Sequence, residues 1–371
     1  MKIFSSSHFY YLALTFETNY TISMKRSLLF LILLSFAFIT SRAQDTVVAK
    51  GVDDQKAEKL YNEGIKLFDK KEYSSALAKF NEAITAEPTF EKAYYNRGSV
   101  KYELKDYTGA ITDFDKAVTM NASNDKAIFS RAQAKYAMGN KTGAIEDYTK
   151  AIAANASYAQ AYYYRGGIYF ENAEYQKASD DFTKAIALKA DYAYAYNDRG
   201  SAKKMLEDYT GAKEDYLKAA KLDPSLAFVF NNLGSVKKKL EDYTGALEDY
   251  TAAIKVDPDY YLAYNNRGTV KIEQNDYKGA VEDFDAAIKL KTDYAYAYNN
   301  RGNAKYKQKD YAGALIDYNK AIELDASYGY AYLNRGITKE LMRDAKGACE
   351  DWKKAAALGV SNAETYSKNC K

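Results

Sequence analysis

The chain has 371 residues, 28% of them charged, yet its net charge is only +3. A balance this close excludes the basic excess that marks a nucleic-acid partner. The single histidine, His8, removes most scope for the commonest general base and metal ligand, and there is no phosphate-binding glycine loop, G-x-S-x-G or paired Cys/His motif.

Residues 1–43 differ from the rest. Lys25 and Arg26 precede an apolar run from Leu28 to Ile39, broken only by Ser35, and Ser41-Arg42-Ala43 follows. This is the layout of a secretory signal peptide cleaved after Ala43. The run of 12 residues is short of the ~20 that span a bilayer as a helix. The alternative is an uncleaved N-terminal membrane anchor. Met24 directly precedes Lys25, so residues 24–43 read as the signal peptide and 1–23 as an upstream extension. No cysteine follows the apolar run closely, against a lipoprotein. The leader holds Lys2, Lys25, Arg26 and Arg42 against Glu17, so the whole +3 belongs to it and the remainder is neutral. The expected location is secreted or periplasmic, with no membrane span in the mature chain. Residues 44–56 read as a linker and the start of a first helix.

From Ala57 onward the sequence repeats. Gly64, Gly98, Gly166, Gly200, Gly234, Gly268, Gly302 and Gly336 form a comb with a 34-residue interval, and Ala132 fills its one missing tooth. A fixed period of this size marks a solenoid or array. Counted from Ala57, nine units run to Asn362, with the comb at the eighth place. The twentieth and twenty-seventh places are always alanine, and the twenty-fourth is always aromatic, from Phe80 to Trp352. The three prolines, Pro88, Pro224 and Pro258, all hold the thirty-second place. Each unit reads as two helices. In the unit from Ala227, Phe230, Leu233 and Gly234 share one face; Asp242 can cap a second helix with Ala246, Tyr250, Ala253 and Ile254 on its buried stripe; Pro258 ends it. A glycine inside a helix costs ~1 kcal/mol, so its recurrence implies a close helix approach that a side chain would prevent.

These places and this period resemble the tetratricopeptide repeat over residues 57–362. The resemblance implies an all-α solenoid of antiparallel helix pairs, wound as a right-handed superhelix with first helices lining the concave side. It also implies a non-catalytic scaffold for protein or peptide partners, without metal or cofactor.

Two places depart from the family's usual pattern. The seventh is arginine in seven units, such as Arg97, and the eleventh is lysine in seven. The twenty-third is aspartate in eight, from Asp113 to Asp351. The first unit reverses both signs, with Glu63 and Lys79, and the sixth sets Leu233 opposite Asp249. The pattern predicts ion pairs between the seventh and twenty-third places, Arg97 with Asp113 and Glu63 with Lys79.

Function is expected on the first helices. The sixth place holds Asn62, Asn96, Asn232, Asn266, Asn300 and Asn334, and the fifth holds Asn197, Asn231, Asn265 and Asn299. An amide both donates and accepts, so a row of them can hold an extended peptide backbone. This resembles the asparagine ladder of a glycosyltransferase superhelix in the family; the alternative is that the amides cap, solvate and keep register. The second-place aromatics Tyr194, Tyr296 and Tyr330 suit peptide or glycan contacts. The family's carboxylate clamp is absent, since lysine is missing from the fifth place.

Residues 363–371 read as a C-terminal capping helix, with Cys370 in its glycine place. A bridge to Cys349 would close the array, the alternative being two buried thiols. The leading expectation is a scaffold binding an extended segment or partner helix in the groove. A cell-wall or carbohydrate-binding module and an accessory subunit of an envelope complex stand beside it.

Overall fold

A computed structural model of the chain describes residues 52–368 and Cys370. The expected upstream extension, signal peptide and cleavage point, and most of the linker, lie outside the described residues. Among those described there are nineteen α-helices and no strand. They fall into two compact units.

The first unit, residues 52–206, contains α1 (Val52–Asp69), α2 (Tyr73–Ala86), α3 (Glu91–Glu103), α4 (Tyr107–Met120) and α5 (Asp125–Ala137). It continues through α6 (Lys141–Ala154), α7 (Ala159–Glu171), α8 (Tyr175–Leu188) and α9 (Ala193–Met205). The second begins at Glu207 and contains α10 (Tyr209–Leu222), α11 (Ala227–Lys239), α12 (Tyr243–Val256), α13 (Tyr261–Glu273) and α14 (Tyr277–Leu290). It ends with α15 (Ala295–Lys307), α16 (Tyr311–Leu324), α17 (Gly329–Leu341), α18 (Ala345–Ala357) and α19 (Ser361–Lys368). Within each unit every helix packs on the next, and successive first helices also touch: α1 with α3 and α5 with α3 in one unit, α11 with α13 and α13 with α15 in the other. The first helices therefore lie on the side where neighbouring repeats come closest.

The glycine comb has the expected cause. A Cβ at Gly302 would stand 2.7 Å from Cε1 of Tyr318, and one at Gly64 2.7 Å from Cε1 of Phe80. The twenty-fourth-place ring thus occupies the volume that a side chain on the first helix would need. The alanines of the twentieth and twenty-seventh places are fully buried. The stripe on the first helix differs from expectation in one respect. Its sealed positions include the third place, such as Ala93, Ala195 and Ala297, and the tenth, such as Val100, Val236 and Val270. The fourth-place tyrosines are only half-buried.

Seven of the nine second helices start on a side-chain cap, α2 and α8 being the exceptions. Asp106, Asn140, Asp208, Asp242, Asp276, Asp310 and Asp344 each accept from the backbone N–H three residues on, which satisfies one orphan donor of the first turn. First helices end instead on a left-handed residue, among them Ala173 (φ 60°) and Glu241 (φ 61°), with Gly139 (φ 81°) at the equivalent place. An L side chain in this region costs roughly 1–2 kcal/mol relative to glycine, less glycine's greater unfolded-state entropy. Ala173→Gly, which removes only a methyl group, is expected to raise stability by up to ~1 kcal/mol; an unchanged or lowered midpoint in urea unfolding would contradict that account.

Candidate functional site: the first-helix surface and its inter-repeat ties

The seventh-place arginine is a three-helix tie. In the second unit Arg301 gives Nε to Oδ2 of Asp317 at 3.0 Å and Nη2 to Oδ1 at 2.6 Å, joining α15 to α16, while Nη1 reaches Asp285 on α14. Arg267 binds Asp283 in the same fork and Thr251 behind it; Arg335 binds Asp351 and Asn319. The first unit repeats this with Arg97 on Asp113 and Asn81, Arg131 on Asp147 and Asp115, and Arg165 on Asp181 and Thr149. Each guanidinium also lies over a fourth-place ring where one is present, as Arg97 does over Tyr94 at 5.3 Å. Planar, five-donor geometry lets one arginine do all of this, and lysine could not.

The eleventh-place lysine completes the site, a role not assigned from sequence. Lys101, Lys271, Lys305 and Lys339 each stand 2.7–2.8 Å from the aspartate that the arginine already holds. A buried carboxylate therefore carries two cations. At Asp147 they outweigh desolvation and hold the carboxyl below its usual range. Asp181, where Tyr169 replaces the lysine, is pushed up by burial instead. In the first repeat Lys79 lies 3.3 Å from Glu63, the reversed pair. Arg301→Met would strip the buried Asp317 of its fork and leave only Lys305. The expected loss is about 3 kcal/mol, read by chemical denaturation, and a loss below a few tenths would show the fork to be a surface ion pair.

The asparagines form a second set of ties. The fifth-place side chain of one repeat meets the sixth-place side chain of the next, 35 residues on. Asn266 Nδ2 donates to Asn231 Oδ1 at 2.9 Å, Asn300 to Asn265 at 3.0 Å and Asn334 to Asn299 at 2.9 Å. In the first unit the same rung is Asn96 Nδ2 to the Tyr61 hydroxyl at 3.0 Å, and the Tyr163 hydroxyl to Asp198 Oδ2 at 2.7 Å. Phe129 and Tyr164 meet there ring to ring, 5.6 Å apart. The expectation for the fifth place is therefore corrected. Asn197, Asn231, Asn265 and Asn299 do not reach the surface: Asn265 and Asn299 are 0% and 1% exposed. Asn300 is buried as well. Helix-to-helix approach seals that row, and a sealed amide must find a partner. Asn96, Asn232, Asn266 and Asn334 remain half-buried, and Asn62 is exposed.

The second-place tyrosines are half-buried too. Tyr296 packs against Tyr294 at 5.5 Å and Tyr328 at 4.7 Å, so it builds the stack as well as lining it; Tyr330 packs on the same cluster, and Tyr194 holds the same place on α9.

One rung carries an acid. Asp198 is buried, with Tyr163 donating to one oxygen and Asn197 Nδ2 to the other at 2.9 Å, and desolvation raises its carboxyl to about 6. Because the folded value lies above the unfolded one, the fold binds the proton more tightly. The contribution of this carboxyl to stability is therefore greatest below pH ~4 and declines as pH rises through about 6. Asp198→Asn, the residue used in later repeats, should remove this slope and stabilise the chain by ~3 kcal/mol at neutral pH; parallel pH profiles for the two proteins would rule it out.

At the C-terminal end α19 lies on α18, with Tyr366 5.1 Å from Trp352 and Ala363 fully buried. Sγ of Cys349 and Sγ of Cys370 are 2.08 Å apart. No group of three His, Cys, Asp or Glu suited to a metal occurs among the described residues, and none of the described helices is long and apolar enough to cross a membrane.

Family models for the tetratricopeptide repeat match residues 61–125, 129–193, 193–226 and 295–328, and a TPR repeat model matches 234–271 and 268–309. The chain belongs to the tetratricopeptide repeat (TPR) family. Its fold is similar to a tetratricopeptide repeat protein from Parabacteroides merdae, at 19% identity and a TM-score of 0.50, covering 67% of this chain and 99% of that one. PilF of Pseudomonas aeruginosa aligns at 18% identity over 56% of this chain and 94% of its own, TM-score 0.49. Yeast Tom70 aligns at 15% over 86% and 96%, TM-score 0.46. Comparison with curated protein sequences gives no match. TPR arrays are in general protein-interaction scaffolds, typically without catalysis, and this chain has that architecture.

Proposed function

We propose that this TPR chain binds an extended peptide or a partner helix along the first-helix surface, outside the cytoplasm, as part of an envelope complex and without chemistry. The supporting observation is the state of Asn266 and Asn334. Each is half-buried and held by one N–H to the preceding repeat. Among the described residues the second N–H of each amide makes no hydrogen bond, so it is aimed but not consumed. The buried fifth-place amides thus support these half-buried ones and set their orientation before a ligand arrives, which lowers the ordering cost of binding. Tyr330 lies four residues before Asn334 on α17, on the same helix face, and adds ring area beside the amide. The secretory leader in the sequence and the bonded pair Cys349–Cys370 support an oxidising location. The carbohydrate alternative has less support, because Tyr296 spends ring surface on Tyr294 and Tyr328.

A photocrosslinking residue in place of Tyr330 should capture a partner in the envelope fraction that one in place of Glu282, exposed on α14, does not. Asn334→Ala should weaken that capture while leaving the helical circular dichroism unchanged. Equal capture from both positions, or none from Tyr330, would move the binding surface elsewhere.

A further inference from the structure

One junction between repeats in the second unit has different residues at the places that form the arginine tie elsewhere. At every other place equivalent to Leu217 the side chain is polar: Asn81, Asp115, Thr149, Thr183, Thr251, Asp285, Asn319 and Lys353. These include the residues that receive Nη1 of the following arginine, as Thr251 does from Arg267. At the α10–α11 junction both partners have changed together. Leu233 stands in place of the arginine and is 2% exposed; Leu217 stands in place of its acceptor and is 47% exposed. The ring above them has changed as well, since Phe230 takes the place where Tyr264, Tyr298 and Tyr332 lie over arginines.

Loss of the arginine, with an apolar side chain sealed in its place, explains the buried leucine. It does not explain an exposed one, since a threonine or an alanine would sit at the surface beside Leu233 without presenting an isobutyl group to water. Burying that group would be worth ~1.5–3 kcal/mol to whatever covers it. A further change surrounds it. Lys213, four residues before Leu217, is the one charged residue at its place; the equivalents are Leu77, Ile111, Ile145, Ser179, Leu247, Val281, Leu315 and Cys349. Lys221 follows four residues after Leu217 and is exposed. On a helix these spacings put Lys213, Leu217 and Lys221 on one face.

We propose that the α10–α11 junction is a docking site for a peptide segment that presents an apolar anchor flanked by carboxylates. The anchor would cover Leu217 and Phe230 over the floor made by Leu233, and its flanking acids would meet Lys213 and Lys221. The charge on both sides of the leucine selects an acidic segment over a basic one. The place-25 side chain lies on a second helix, so the site is separate from the amides of the first-helix surface and does not depend on their role.

The test is fluorescence anisotropy of the intact chain with a short labelled peptide holding one leucine between aspartates. Two control peptides replace the leucine by serine or the aspartates by lysines. The expected result is binding of the first peptide at least about tenfold tighter than either control, a difference of ~1.4 kcal/mol. Leu217→Thr, which alters only an exposed side chain, should erase the preference for leucine. Lys213→Glu with Lys221→Glu should invert the preference for charge. Leu217→Thr with Leu233→Arg restores the tie used by the other repeats and should fold, yet lose the first peptide. Tyr330→Ala and Asn334→Ala should leave the binding unchanged. Absence of binding to the first peptide, equal binding to all three, or binding that survives Leu217→Thr would overturn the proposal.

Discussion

A guanidinium has five donors fixed in one plane, and in this chain that is enough to hold three helices. Arg301 leaves α15, grips Asp317 on α16 with two parallel hydrogen bonds and uses its remaining edge on α14. The repeat unit cannot bury its own apolar face, so its stability depends on the neighbour. The arginine makes the fold within a repeat and the stacking between repeats a single event. Its cost is a buried aspartate, which a lone arginine in a dry setting would not reliably offset. The eleventh-place lysine supplies the second cation, and the contrast between Asp147 and Asp181 shows what its absence does.

The amide rungs follow from the same need for contact between neighbours. First helices of neighbouring repeats touch one another, and that approach seals the fifth place. A sealed polar side chain must be paired. The first unit solves this with phenols and the second with amides, yet both use the same 35-residue step. Amide rungs have a property that phenol rungs lack: each amide nitrogen carries two hydrogens, so a rung can close one bond inward and still offer one outward. The change from Tyr to Asn along the array therefore alters the surface without altering the stack.

Much of the fold was legible because the period is strict. A 34-residue comb leaves few ways to assign helices, and the sign reversal at Glu63 and Lys79 was sufficient to pair the seventh and twenty-third places. The candidate site was less legible. Nothing in a single unit says that Asn265 is sealed and Asn266 is not; the difference arises where two units meet, and periodicity within one helix places both near the same edge. A signal was nevertheless present. Reading the fifth place of each unit against the sixth place of the next gives Tyr with Asn, Tyr with Ser, Tyr with Asp and Asn with Asn, each able to share a hydrogen bond, and Phe129 with Tyr164, which meet as rings. Chemical matching across the repeat boundary, rather than within the unit, carries that information.

The same comparison separates the two kinds of departure in this array. Leu233 is buried in place of the arginine, so that half of the change keeps the stack intact, while Leu217 stays largely exposed. Lys213 has no such role in the stack, because its place elsewhere is uncharged and mostly aliphatic, and a charge there does nothing for packing. A substitution that costs the array a packing side chain, beside one that exposes a leucine, is not explained by stability in either direction. A strict repeat makes such positions visible, because each residue can be read against its eight equivalents.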